Sequence, residues 1–198
     1  MNKVERIAII GVGLIGGSLG LVFRKHNYDV VGFDHPNSLQ QAVERGAINR
    51  GVTDLQQAVS DADVVIICTP VRTIRTMIER LTTLKLKPGA VVTDTGSTKE
   101  ELVTFAESLD WRDAVYIGGH PMAGSHRSGV NAANSDLFEN AYYLLTPQPG
   151  TPDVAVSKLV NLFEQTRAKV ILMDAHEHDQ IMAAISHWPH VLAALLVQ

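Results

Sequence analysis

The chain has 198 residues, 45% hydrophobic and 19% charged, with a formal net charge of −4, a balance ordinary for a soluble globular protein with a full core. The mild acidity, with no basic run, argues against a nucleic-acid surface, and no apolar stretch approaches the roughly 18 residues that would cross a bilayer. The lone cysteine, Cys68, excludes an internal disulfide framework and fits a reducing cytoplasm.

The first element is the most informative. The run Arg6-Ile7-Ala8-Ile9-Ile10 leads straight into Gly11-Val12-Gly13-Leu14-Ile15-Gly16 and then into a helix-compatible stretch; no secretory leader is expected before it. Strand, G-x-G-x-x-G and helix in that order form the βα turn of a dinucleotide-binding domain. Gly11 permits the tight turn, Gly13 lets the backbone approach a pyrophosphate, and Gly16 lets the helix pack on the strand. Free N–H groups at the helix start, including those at Leu14 and Ile15, offer donors to phosphate. The second strand, Val30-Val31-Gly32-Phe33, ends at Asp34, about 20 residues on, as the fingerprint requires. A carboxylate there accepts hydrogen bonds from ribose hydroxyls and repels a 2′-phosphate, so NAD is favoured over NADP; His35 could soften that preference.

Further along, strand and helix patterns alternate. Strands are expected at 7–10, 29–33, 64–68, 90–93, 114–118, 141–145 and 169–173, with a short extra strand near 48–51. Helices are expected at 15–25, 39–44, 55–60, 74–81, 99–108, 152–166 and 175–197. The run Val64-Val65-Ile66-Ile67 is apolar at consecutive positions, as when both sheet faces are covered. Cys68, at its end, reads as a small buried hydrophobe. The pattern implies an α/β Rossmann-type fold, a doubly wound and mostly parallel sheet. Thr151 is a candidate N-cap, with Pro152 at the first helical position.

Ligands of such sheets bind beyond the carboxyl ends of the strands. Three polar segments fall there. Thr69-Pro70-Val71 could line the dinucleotide channel. Asp94-Thr95-Gly96-Ser97-Thr98-Lys99 and Gly118-Gly119-His120-Pro121-Met122-Ala123-Gly124-Ser125 bring Ser97 and His120 to the nicotinamide end. Ser97 could equally cap the helix that follows. His120 is expected in an exposed, rigid Gly-rich loop.

The final helix carries His176, His178, His187 and His190. Only His187 and His190 share a face, Pro189 disturbs that turn, and no cysteine pair or H-E-x-x-H is present, so no catalytic metal is expected. This helix becomes more apolar toward its end and lacks a cap. It is therefore expected either to lead into a second, helical domain or to fold back on this one.

Taken together, these residues resemble the prephenate dehydrogenase family of tyrosine biosynthesis. The likeness rests on Gly11-Val12-Gly13-Leu14-Ile15-Gly16-Gly17-Ser18, on Asp94 to Lys99, on Gly119 to Ser125, and on Glu177-His178-Asp179 followed by Ser186-His187-Trp188-Pro189-His190. Trp188 stands where the family usually has Leu. The resemblance implies an NAD-binding domain at 1–173 and the start of a helical dimerisation domain at 174–198, with a homodimer in the full-length form. It implies NAD-dependent oxidative decarboxylation of prephenate to 4-hydroxyphenylpyruvate in the cytoplasm. It assigns His120 as general base toward the ring hydroxyl, with a rate rising through a pKa of roughly 6.5. Ser97 would hold hydroxyl, nicotinamide and His120 in register. His187 would lie near substrate or nicotinamide, and Ser125 would line the substrate pocket.

Two departures follow. The family's carboxylate-binding Arg lies in the part after the final helix. His126 stands where the family has an acid or another polar residue, with Arg127 next, which either pairs with a substrate carboxylate or is a solvated surface group. The chain alone is expected to bind NAD and to turn prephenate over poorly. Arogenate is the nearest alternative substrate. A β-hydroxyacid dehydrogenase would need a catalytic Lys after the nucleotide domain, and no Lys follows Lys169. A nucleotide-binding module without turnover is the alternative from outside the enzymes.

Overall fold

The computed structural model describes residues 4–188 and Leu195. The opening unit runs β1 (Arg6–Ile10), α1 (Leu14–Lys25), β2 (Asp29–Phe33), α2 (Pro36–Glu44) and β3 (Arg50–Val52). The next comprises α3 (Leu55–Val59), β4 (Val64–Ile67), α4 (Val71–Thr82), β5 (Val91–Asp94), α5 (Glu100–Glu107) and β6 (Val115–Pro121). A 3₁₀ turn (Val130–Ala132), β7 (Tyr142–Thr146), α6 (Asp153–Glu164), β8 (Lys169–Leu172) and α7 (Ala175–Met182) complete it.

The strands form one sheet in the order β3-β2-β1-β4-β5-β6-β7-β8. Strands β1 to β6 pair in parallel, β7 runs antiparallel to β6, and β8 returns parallel to β7. Chain order reverses between β1 and β4, which is the switch point where such sheets bind ligands. Alternation along each strand builds both faces. Ile7 and Ile9 meet Leu19 and Phe23 of α1 and Phe163 of α6 on one side. Ala8 and Ile10 meet Leu55 of α3, Ile78 of α4 and Leu102 of α5 on the other. In α4, Ile74, Met77, Ile78 and Leu81 are the buried positions, the i, i+3, i+4, i+7 stripe of an amphipathic helix.

Three expected boundaries move. α2 begins at Pro36, its first helical residue, three residues before the expected start, because proline's fixed φ suits the first turn. Thr151 does not cap α6; Pro152 occupies the cap and the helix starts at Asp153. The expected helix 175–197 is α-helical over Ala175–Met182, widens into a π turn at Ala183–His187 and is helical again at Trp188; beyond that, apart from the helical Leu195, it lies outside the described residues. Proline at 189 has no N–H to give the carbonyl of residue 185, so a regular ladder cannot run through this stretch.

Strand β6 is longer than expected. It runs through Gly118, Gly119 and His120 to Pro121. Its first half pairs with β5, and its second half pairs with β7. The glycines that read as a loop are there because neighbours come close: a Cβ on Gly119 would sit 2.5 Å from the Asp94 carbonyl oxygen.

Candidate dinucleotide cleft and active site

A cleft of about 1070 Å³ opens at the carboxyl ends of β1 and β4. Gly11, Gly13, Leu14 and Ile15 form one wall, and Asp34 and Phe33 at the end of β2 form another. Thr69 and Pro70 after β4, and Thr95 after β5, line the floor. Gly11 turns the chain at φ +93°, and a Cβ on Gly16 would lie 2.1 Å from the Gly11 carbonyl oxygen. Gly16 is thus buried packing beneath the turn. Gly13 differs, because a Cβ there would meet nothing within 4 Å. Among the described residues nothing crowds that position, and Gly13 leaves its backbone bare toward the cleft it lines.

Asp34 ties the cleft together. One carboxylate oxygen accepts the Val12 N–H at 2.8 Å, and the other accepts the His35 N–H at 2.6 Å. The acid therefore braces the glycine turn, and a carboxylate's further lone pairs are available to hydroxyls in the cleft. Cys68 also borders this cleft. It is partly buried rather than the fully buried hydrophobe expected from sequence, and desolvation pushes its thiol up to about 12, which disfavours the thiolate.

The second centre lies on the other side of β5. The His120 side chain, near the end of β6, sits with its Nδ1 2.9 Å from Nε2 of His178 on α7. Nδ1 of His178 is 2.7 Å from Oδ1 of Asp179. His178 is fully buried. Asp179 also accepts the Lys99 N–H at 2.8 Å and the Glu100 N–H at 3.0 Å. It thereby satisfies the open start of α5, where a helix N-terminus leaves N–H donors without partners. Burial alone would raise the Asp179 carboxyl, but these two N–H groups and the His178 ring hold it below the ordinary carboxylate range.

Beneath His120 lies a buried ionic cluster. The Lys99 ammonium, fully buried, donates to Asp94 and to the Gly119 carbonyl oxygen at 2.9 Å. Asp94 also accepts the Tyr116 hydroxyl at 2.6 Å and the Gly96 N–H at 2.7 Å. Burial pulls the Lys99 pKa down while the Asp94 charge opposes it. This cluster clamps the backbone on the N-terminal side of His120.

The same surroundings set the His120 pKa. Burial first, then the His178 ring and the Lys99 charge, lower it to about 4, well under the expected 6.5. Burial likewise lowers His178, against the pull of Asp179. Both rings are thus neutral in the folded chain where the unfolded chain would bind protons. Stability from this pair is present above about pH 6.5 and is lost as pH falls from 6.5 toward 4. His176 titrates in the opposite direction beside Glu100, but it is solvent-exposed and screened. We expect the urea midpoint to fall between pH 7.5 and pH 5, and a His120→Asn/His178→Gln double variant to flatten that slope. An unchanged slope in the double variant would contradict the assignment.

The remaining sequence candidates separate. Ser97 is exposed in the β5–α5 loop and does not cap α5, whose cap position is Lys99 with no side-chain cap. Val71 is exposed as the first residue of α4. Ser125 and His126 are exposed in the loop after β6, where Ser125 Oγ accepts the Arg127 N–H at 3.2 Å. Arg127 itself lines the dinucleotide cleft, together with Ser128 and Gly129. His120 stands in a strand and is part-buried, not exposed in a loop. The His187 side chain and His190 lie outside the described residues. Sequence reasoning gave no role to Lys99, His178 or Asp179. The only available signal was the pairing of Glu177-His178-Asp179 with the Lys99 segment in the family's motifs.

The sequence profile of the prephenate dehydrogenase nucleotide-binding domain matches residues 19–172. The chain belongs to the prephenate dehydrogenase family. The prephenate dehydrogenase of Lactococcus lactis subsp. cremoris is 41% identical over 197 residues, covering 98% of this chain and 53% of that protein. The chain spans about half the length of the curated relatives it matches. Among solved structures, Synechocystis arogenate dehydrogenase superposes with a TM-score of 0.90 at 34% identity, covering 98% of this chain and 68% of that one. The prephenate dehydrogenase of Aquifex aeolicus, in complex with hydroxyphenyl propionate and NAD+, gives a TM-score of 0.90 at 32% identity, covering 99% and 69%. Among the described residues no helix is long and apolar enough to cross a membrane.

Proposed function

We propose that the intact enzyme oxidises prephenate with NAD, releasing carbon dioxide and 4-hydroxyphenylpyruvate, and that His120 is its general base. The juxtaposition of the two centres carries this reading. A dinucleotide cleft ends at β5, and His120 stands on the adjacent strand, about 5 Å across the sheet. NAD suits the cleft by three features: bare Gly13, the open start of α1, and Asp34 at the ribose position. Bound there, it supplies the hydride acceptor. The ring nitrogen of His120 that does not face His178 takes the proton of the ring hydroxyl as hydride leaves the same carbon. Breaking the bond to the ring carboxylate then delivers an electron pair to the ring and aromatises it. The proton held by His120 returns to the resulting phenolate, so the cycle leaves the base neutral. Arg127, in the dinucleotide cleft, is better placed for the cofactor's phosphates than for a substrate carboxylate.

A second reading, arogenate as substrate, draws on the likeness to the Synechocystis enzyme. By family likeness, residues 174–198 open a helical dimerisation domain, the intact enzyme is a homodimer and it works in the cytoplasm; sedimentation and fractionation test these.

The cofactor assignment is tested on this chain by calorimetry. Asp34→Ser should weaken NAD binding about tenfold, the loss of roughly one charge-assisted hydrogen bond, and leave NADP unchanged or improved. Equal losses for both would show that Asp34 only braces the glycine turn.

A further inference from the structure

The reading of His120 as a base leaves open which of its nitrogens carries the proton, and the chain answers this from the far end of a three-residue line. We propose that His178 and Asp179 are positioning residues that hold His120 as its Nδ1–H tautomer, so that Nε2 is the free, proton-accepting nitrogen. This rests on the base reading above.

The argument starts at Asp179. Its carboxylate faces three donors: two backbone N–H groups at the start of α5, and the His178 ring. An ionised carboxylate only accepts, so Nδ1 of His178 carries the hydrogen. His178 is buried, and the groups around it are Asp179 beside it on α7, His120 on β6, and the Lys99 and Asp94 charges beneath. Burial and the Lys99 ammonium disfavour a second proton, which leaves Nε2 of His178 as a lone pair. The ring atom 2.9 Å away is His120 Nδ1, which must therefore donate. A protonated His178 would reverse the line, turning His120 Nδ1 into an acceptor and putting its hydrogen on Nε2, where it cannot act as a base.

The line also serves the later state. When Nε2 takes a proton, the His120 imidazolium still donates from Nδ1 to the neutral His178 ring, and the Asp179 carboxylate beyond offsets its charge. An orienting group behind a catalytic histidine acts in this way elsewhere. Asp179 has a second duty, since it caps α5, the helix that follows Lys99. One carboxylate therefore fixes both the tautomer of His120 and the start of the helix beneath it.

Nitrogen-15 NMR of the histidine rings on this chain at pH 7 reads the tautomers directly. We expect Nδ1 protonated and Nε2 free in both His120 and His178. His178→Leu removes the acceptor, and His120 should move toward the Nε2–H form. His178→Gln, whose carbonyl can stand in for the accepting nitrogen, should restore Nδ1–H. Asp179→Ala removes the acceptor that fixes His178 Nδ1–H, so both rings should become mixtures of tautomers. Backbone spectra report whether each variant folds. In the intact enzyme, His178→Leu should lower kcat about 10²-fold with KM for NAD unchanged, and His178→Gln should recover most of it. An Nε2–H tautomer in the unaltered chain, or a His120 ring indifferent to all three substitutions, overturns the relay. Unchanged kcat in His178→Leu overturns its part in turnover. Normal turnover in His120→Asn with the tautomers as described would overturn the base reading alone.

Discussion

Replacing Lys99 with Met should cost the domain about 3–5 kcal/mol, the loss expected when one member of a buried ion pair is removed. The size follows from what is left behind. Asp94 is fully buried, and without the ammonium its charge would rest on the Tyr116 hydroxyl and the Gly96 and Gly119 N–H groups. The Gly119 carbonyl oxygen would also lose its Lys99 donor. Domains of this kind have about 5–15 kcal/mol in all, so the variant should be close to marginal. Asp94→Asn should be milder, because burial already pulls the Lys99 pKa down and the amine can shed its proton. A Lys99→Met/Asp94→Asn double variant should regain part of the loss. Urea unfolding at pH 7 measures all three, and a cost under about 1 kcal/mol for Lys99→Met would show that the pair is not buried as described.

His120→Asn should reduce kcat of the intact enzyme by about 10²–10⁴-fold, the usual contribution of a positioned general base. The amide retains one hydrogen bond but cannot take a proton. NAD affinity should stay within about threefold, under 1 kcal/mol, because the cleft is built from β1, β2, β4 and β5 and no His120 atom lines it. The pH profile is a second test. A base works in its neutral form, so the rate should rise with pH through the His120 pKa. Burial, His178 and Lys99 place that value near 4, and the acid limb should fall well below 6.5. A limb at the ordinary histidine value would mean that the charges around His120 are rearranged when substrate binds. Near-normal turnover in the variant would remove His120 from the chemistry.

Much of this fold is legible in the residues. The apolar strands, the glycine turn and the acid at Asp34 are local patterns, and the structure brings the turn and the acid to one cleft. The chemistry of the second centre was harder to read because its contacts are distant in sequence. Asp179 caps a helix start 79 and 80 residues away, so the local pattern offers only Ser97 as a cap. His178 meets His120 across 58 residues, and nothing in the spacing of four late histidines marks His178 as buried. Gly118 and Gly119 carry the signature of a turn, yet antiparallel pairing with β7 makes them strand. Lysine is seldom fully buried. Composition alone therefore gives no reason to place Lys99 in the core, where Asp94 makes its charge tolerable.

The most direct test of the account is NADH formation by the intact enzyme supplied with prephenate and NAD, with carbon dioxide measured in the same reaction. We expect saturable NADH production with one carbon dioxide released per NADH, and its loss in His120→Asn. NADH without carbon dioxide, or no NADH from prephenate under conditions where arogenate supports it, would contradict the account.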